Sequence, residues 1–183
     1  MVFSSRTERS GFTLVELLLV VAMIGTLAAL ALPVMTDMTA NIKLNQAARL
    51  VEREMQDARL KAVSSNRMIR IRTNCPATGY IRSVEVVGTA VDTASNRCVT
   101  TAYPFPAADT DIMTRPNFDG PVRSLPTGAT VTSKVIQFTP NGTAMDVVSG
   151  TPTTITTPVT LTITRSGKSK TVTVNNAGKV QLQ

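Results

Sequence analysis

The chain has 183 residues and a formal net charge of +7, from 19 lysines and arginines against 12 acids. With no histidine and two cysteines it lacks the commonest general base and the donors of a zinc site, so neither a metal nor a cofactor is expected. No nucleophile–base pair is recognisable, so the composition argues against an enzyme, and its positive excess favours anionic partners.

The chain opens on a short charged leader containing Arg6, Glu8 and Arg9, which stops at Gly11. Glu16 follows, and from Leu17 to Thr36 no residue is charged. Ten Leu, Ile and Val residues in that run supply roughly −3 to −6 kcal/mol of insertion free energy. As a helix it rises about 30 Å, the thickness of the hydrocarbon core. An ordinary secretory signal has a shorter apolar region that ends at a small-residue cleavage site; here the order is reversed. Arg6 and Arg9 place the N-terminus in the cytoplasm and the remainder outside. Pro33 removes one helical hydrogen bond and predicts a kink or a local loosening.

Helical spacing continues beyond the proline. Leu44, Ala47, Ala48, Val51, Met55, Ala58 and Ala62 form one apolar stripe. Its many alanines suit close packing on a sheet rather than a coiled-coil seam. Asp57 stands four residues before Lys61, the supportive orientation. The helix is expected to end in "SSN", residues 64–66. The period then becomes two in "MIRIRT", "YIRSVEVV", "KVIQFT" (134–139), "VTLTITR" (159–165), "KTVTV" (170–174) and "KVQL" (179–182). "RSGKSK" (165–170) and "NNAG" (175–178) read as turns, and 104–126 as irregular, solvated loop. Asp109, Asp111 and Asp119 in that loop lack the spacing of a calcium site. The fold class is therefore α+β, a long helix laid across antiparallel sheet.

Gly11, Phe12 and "TLVE" through Glu16, followed by an apolar helix with Gly25 and Pro33, resemble the class III signal of type IV pilins and type II secretion pseudopilins. The resemblance implies a leader over 1–11, a transmembrane and filament-core helix over 12–36, its amphipathic continuation over 37–66 and an extracytoplasmic β-rich domain over 67–183. It implies cleavage between Gly11 and Phe12 by a membrane-embedded prepilin peptidase, which also acts as N-methyltransferase on the new Phe12 amine. It also implies residence among the lipids of a bacterial inner membrane, with a periplasmic domain, and then assembly with other pilins or pseudopilins in a helical filament. An intramembrane acid calls for a partner. An amine on Phe12, its own or a neighbour's, supplies one, and a close pair gains about 4 kcal/mol at an effective dielectric of 20, before desolvation costs. Glu16, with Pro33 as a point of curvature, is the expected assembly determinant.

"ARLKAVSSNRMIRI" (58–71), "IQFTPNGTA" (136–144) and "VTVNNAGKV" (172–180) resemble the GspH/FimT group of minor pilins and pseudopilins. Some FimT-type members bind DNA through a Gly-Arg-x-Arg motif; the matching residues here are Gly178, Lys179, Val180 and Gln181. One basic residue is conservatively replaced and the other is absent, and lysine does not reproduce a bidentate arginine contact. Arg165, Lys168, Lys170 and Lys179 are the candidate DNA-binding residues, with a solvated basic face as the alternative. Cys75 and Cys98 fall in the exported part, where an even pair reads as a disulfide rather than as free thiols.

Overall fold

The computed structural model describes residues 11–107 and 116–183, without the side chains at 30, 31, 33 and 34. Asp109 and Asp111 therefore lie outside the described residues, as do Arg6, Glu8 and Arg9 of the leader.

The first element is a helix, α1, over Leu14–Ser65. Thr13 caps it: the Glu16 N–H donates to Thr13 Oγ1 at 3.2 Å, and the Leu17 N–H to the Thr13 carbonyl at 3.1 Å. "TLVE" thus has the spacing of a capping box, with Thr13 at the cap and Glu16 at its third helical position. At the far end Asn66 takes a positive φ of 52°. The Arg67 N–H then reaches the Ala62 carbonyl at 3.1 Å and the Asn66 N–H that of Val63 at 3.4 Å. This is a Schellman termination with asparagine in place of glycine. The backbone is helical at residue 33; the Pro33 side chain lies outside the described residues.

The chain divides into two compact units, residues 1–39 and 40–183. In the first, every described side chain is exposed. Among the described residues no helix is long and apolar enough to cross a membrane; four side chains within the expected span are not among them.

In the second unit the predicted alanine-rich stripe is the buried face of α1. Among the described residues ten strands follow: β1 (Ile69–Thr73), β2 (Tyr80–Glu85), β3 (Val122–Ser124), β4 (Thr130–Val131), β5 (Val135–Phe138), β6 (Ala144–Val148), β7 (Thr151–Thr154), β8 (Val159–Arg165), β9 (Lys168–Val174) and β10 (Val180–Leu182). They form a six-stranded sheet ordered β3-β2-β1-β5-β6-β7 and a four-stranded sheet ordered β10-β9-β8-β4. The pairings are antiparallel, with Ile71 opposite both Ser83 and Ile136, and Leu161 opposite Val172. Ile69, Ile71, Ile136, Phe138, Leu161, Ile163, Val172 and Val174 join the helix stripe in one apolar core. The architecture is α+β, a long helix packed on antiparallel sheets.

Four expectations need correction. The segment 104–126 contains β3, which pairs Arg82 with Val122. Residues 144–154 form the hairpin of β6 and β7, which the period did not predict. β9 begins at Lys168, so the turn in "RSGKSK" shrinks to Ser166 and Gly167, both at positive φ. Asp57 pairs back to Arg53 at 3.6 Å, while Lys61 reaches across to the Asp119 carbonyl at 3.4 Å.

Candidate functional site

The expected processing site opens α1. Gly11, Phe12 and Thr13 precede the helix, and Phe12 is 81% exposed. Thr13 Oγ1 and the Glu16 carboxylate are both local groups at a helix start, where backbone N–H groups carry partial positive charge. Glu16 is exposed, on a segment whose described apolar neighbours Leu17 and Leu18 are exposed as well. A carboxylate here complements the helix dipole whatever else it pairs with.

The three sequence patches of the second unit meet at one side chain. Arg59, on α1, donates from Nε to the Gly142 carbonyl at 2.9 Å and from Nη2 to the Ala177 carbonyl at 3.1 Å. It ties the turn after β5 and the turn before β10 to the helix. Gly178 makes this fit: its φ is +71°, and a β-carbon there would stand 2.1 Å from the Gly142 carbonyl oxygen. The matched glycine of the DNA-binding motif is therefore required by close backbone approach.

The four candidate DNA-binding cations do not form one patch. Arg165 lies directly opposite Lys168, and Lys170 lies opposite Ile163. These three share strand parity with Leu161, Ile163, Val172 and Val174, so they extend the inner face of the sheet at the hairpin tip. Arg165 Nε and Nη1 are buried without hydrogen-bond partners. Lys179 follows the opposite end of β9, beside Asn175, whose side chain accepts the Lys179 N–H at 2.9 Å. Five residue steps along the chain lead from Lys170 to Asn175, about 17 Å of extended strand.

Cys75 and Cys98 are joined in a disulfide, with Cα atoms 5.3 Å apart. Arg82 and Arg97, from the segment that it closes, meet Asp119 from beyond it in a buried ion cluster that no local pattern announces. Asp119 is 2% exposed, not solvated. Arg97 grips its carboxylate with both terminal nitrogens, Nη2 at 2.6 Å from Oδ1, and Arg82 Nη2 stands 3.7 Å from Oδ2. Several further contacts of the cluster are to backbone. Arg82 donates to the carbonyls of Gly120 at 3.0 Å and Tyr103 at 2.6 Å, and Arg97 to that of Glu85 at 3.0 Å. Glu85 accepts the N–H groups of Asn117 at 2.7 Å and Phe118 at 3.0 Å. The Arg97 guanidinium also lies 4.6 Å from the Tyr103 ring centre. Burial lowers the Arg82 pKa from its ordinary value, while Asp119 opposes the shift. The carboxylates that could have suggested a cation site are used in part to hold irregular chain. Among the described residues no group of three or more Cys, Asp or Glu side chains could hold a metal ion.

Comparison with known proteins gives this arrangement a context. Residues 47–178 match the family described as type II transport protein GspH, and residues 6–32 match the prokaryotic N-terminal methylation motif. A fimbrial protein of Neisseria meningitidis serogroup B is 35% identical over 87 residues, 44% of this chain and 51% of that protein. The pilin-like protein PilA1 of Thermus thermophilus is 37% identical over 78 residues, 42% of this chain and 49% of its own. The chain thus spans about half the length of these curated relatives. Among solved structures, the type IV minor pilin FimU of Pseudomonas aeruginosa superposes with a TM-score of 0.48 at 20% identity, covering 80% of this chain and 92% of that one. The minor pseudopilin EpsH of the Vibrio cholerae type 2 secretion system gives 0.45 at 15% identity, covering 77% and 96%. The GspH match extends from the buried helix stripe to the glycine beneath Arg59, and the methylation motif covers the capped helix start. The chain belongs to the GspH family of pilin-like proteins, which are structural subunits rather than enzymes.

Proposed function

We propose that the chain is a minor subunit of a type IV pilus or a type II secretion pseudopilus. A prepilin peptidase cuts between Gly11 and Phe12 and methylates the Phe12 amine. The mature subunit waits in the inner membrane through residues 12–36 and then enters a filament of sister subunits. The observation that carries this reading is a methylation motif placed on a capped helix start whose described side chains are all exposed. Cleavage leaves an ammonium beside the positive end of a helix, an unfavourable position that a carboxylate offsets. Glu16 serves as that carboxylate, for its own chain or for the next subunit.

Mass spectrometry of the protein from its native membrane tests the processing step. The expected N-terminal peptide begins at methylated Phe12; a peptide that retains residues 1–11 overturns the proposal. Thr13→Ala and Glu16→Ala then separate capping from assembly. Loss of filament incorporation in Glu16→Ala with near-normal incorporation in Thr13→Ala supports pairing between subunits. Equal behaviour of the two variants reduces Glu16 to a capping residue.

A second reading, phosphate-backbone contact with DNA, draws support from the three cations gathered at the β8–β9 tip. Electrostatic binding of this kind is strongest at low salt. A gel shift with the full chain in detergent that weakens as salt rises, and is lost in Arg165→Ala/Lys170→Ala, supports it. Absence of a shift at low salt rejects it.

A further inference from the structure

In the second unit, α1 turns the alanine face inward and exposes two aliphatic residues one turn apart, Leu60 at 66% and Val63 at 49%. With Val180 they line an open groove of ≈ 360 Å³ between the helix and the start of β10. Its polar lining comes from Gln56, Arg59 and Lys179, and no acid takes part. The neighbouring acids on the helix are Glu52, whose Oε1 faces Gln56 Nε2 at 3.5 Å, and Asp57, which pairs with Arg53. Arg59 is held by the carbonyls of Gly142 and Ala177, and Gly178 seats the adjoining turn against it. The groove is therefore preformed, so an occupant need not order it.

We infer that this groove docks an acidic sister subunit, a pilin-like chain that inserts an aliphatic anchor flanked by carboxylates. The inference rests on the reading that this chain assembles with other pilin-like subunits. An apolar floor with a cationic rim has the make-up of an interface hot spot, in which a buried anchor is ringed by polar groups. The sign of the rim selects carboxylates, because like charges across an interface oppose association. The same argument disfavours a second copy. The whole chain carries +7, and the leader's Arg6, Glu8 and Arg9 account for +1 of it, so each mature copy would bring +6 to a self-contact. Phosphate-bearing partners gain nothing from Leu60 and Val63. A partner of opposite charge explains why an aliphatic pair is left uncovered beside Lys179.

A photo-crosslinking residue placed at position 60 of the full chain, in its native membrane, tests the inference. Equivalent probes stand at position 24, in the first unit, and at position 148, an exposed site on β6. Position 60 is expected to capture a pilin-like protein whose exported domain is net acidic, and position 148 is not. Lys179→Glu should cut the yield from position 60 about tenfold, and Leu60→Ser should cut incorporation by a similar factor; Lys179→Arg should restore it. Capture of the chain's own copy, of lipid, or of nothing at position 60 overturns the inference. If position 24 still captures pilin-like chains in that case, the assembly reading stands and only the groove is misassigned. If position 24 captures none either, the assembly reading itself fails.

Discussion

Gly178 and Gly167 both adopt positive φ, +71° and +75°, yet they are unequal. At Gly167 a β-carbon meets nothing within 4 Å, so Gly167→Ala costs only the backbone strain, about 1–2 kcal/mol. At Gly178 it meets the Gly142 carbonyl oxygen at 2.1 Å and Arg59 Nε at 2.8 Å. Gly178→Ala must break the Arg59 junction as well, and its loss should exceed that of Gly167→Ala by about 2 kcal/mol or more. Urea unfolding of the two variants checks the order. Asp119→Asn leaves Arg97 and Arg82 buried without a full counter-charge and should cost about 3–5 kcal/mol, measured in the same way. Glu54, on the helix, is 8% exposed and meets Arg123 of β3 at 3.2 Å. Burial raises its pKa above 4.5, with Arg123 opposing. The folded state then holds the proton more tightly than the unfolded one. This contribution to stability is greatest at low pH and is lost as pH rises through the raised folded value. The stability difference between wild type and Glu54→Gln should therefore move in favour of wild type between pH 7 and pH 4. A difference that does not change with pH would show that Arg123 cancels the burial.

At the scale of elements, the disulfide spans 23 residues of separation and closes the segment that holds β2. In the chain-entropy model it contributes about 3 kcal/mol. Cys75→Ser/Cys98→Ser should lower the urea midpoint accordingly, and reductant should have no further effect on that variant. The elements also differ in how openly the chain states them. α1 announces itself by its apolar stripe, and β1 and β8 by alternation of apolar and polar residues, because Ile69, Ile71, Leu161 and Ile163 all enter the core. β6 and β7 do not alternate: β7 is a fully exposed edge containing Pro152, so its existence depends on pairing with β6 rather than on burial. β3 is three residues long, below the length at which any period can be read.

At the scale of the molecule, the N-terminal methylation motif was legible because its residues are contiguous in sequence. The ion cluster was not, since Arg97 and Asp119 are 22 residues apart and no periodic pattern links them. Nor was the role of Arg59, whose partners at Gly142 and Ala177 lie 83 and 118 residues away. The division of the four cations likewise needed the β8–β9 register, which placed Lys179 away from the others.

The cap at Thr13 has a bearing on maturation. The hydrogen bonds that begin α1 start from Thr13 and engage only residues that follow it. A cut after Gly11 removes none of them. On the proposed processing, precursor and mature subunit should share the same first helical turn, and cleavage would change the charge and length of the tail without unwinding that turn. Amide exchange at Glu16 and Leu17 should be equally slow before and after cleavage. The filament would then receive a helix that was already set when the leader was still attached.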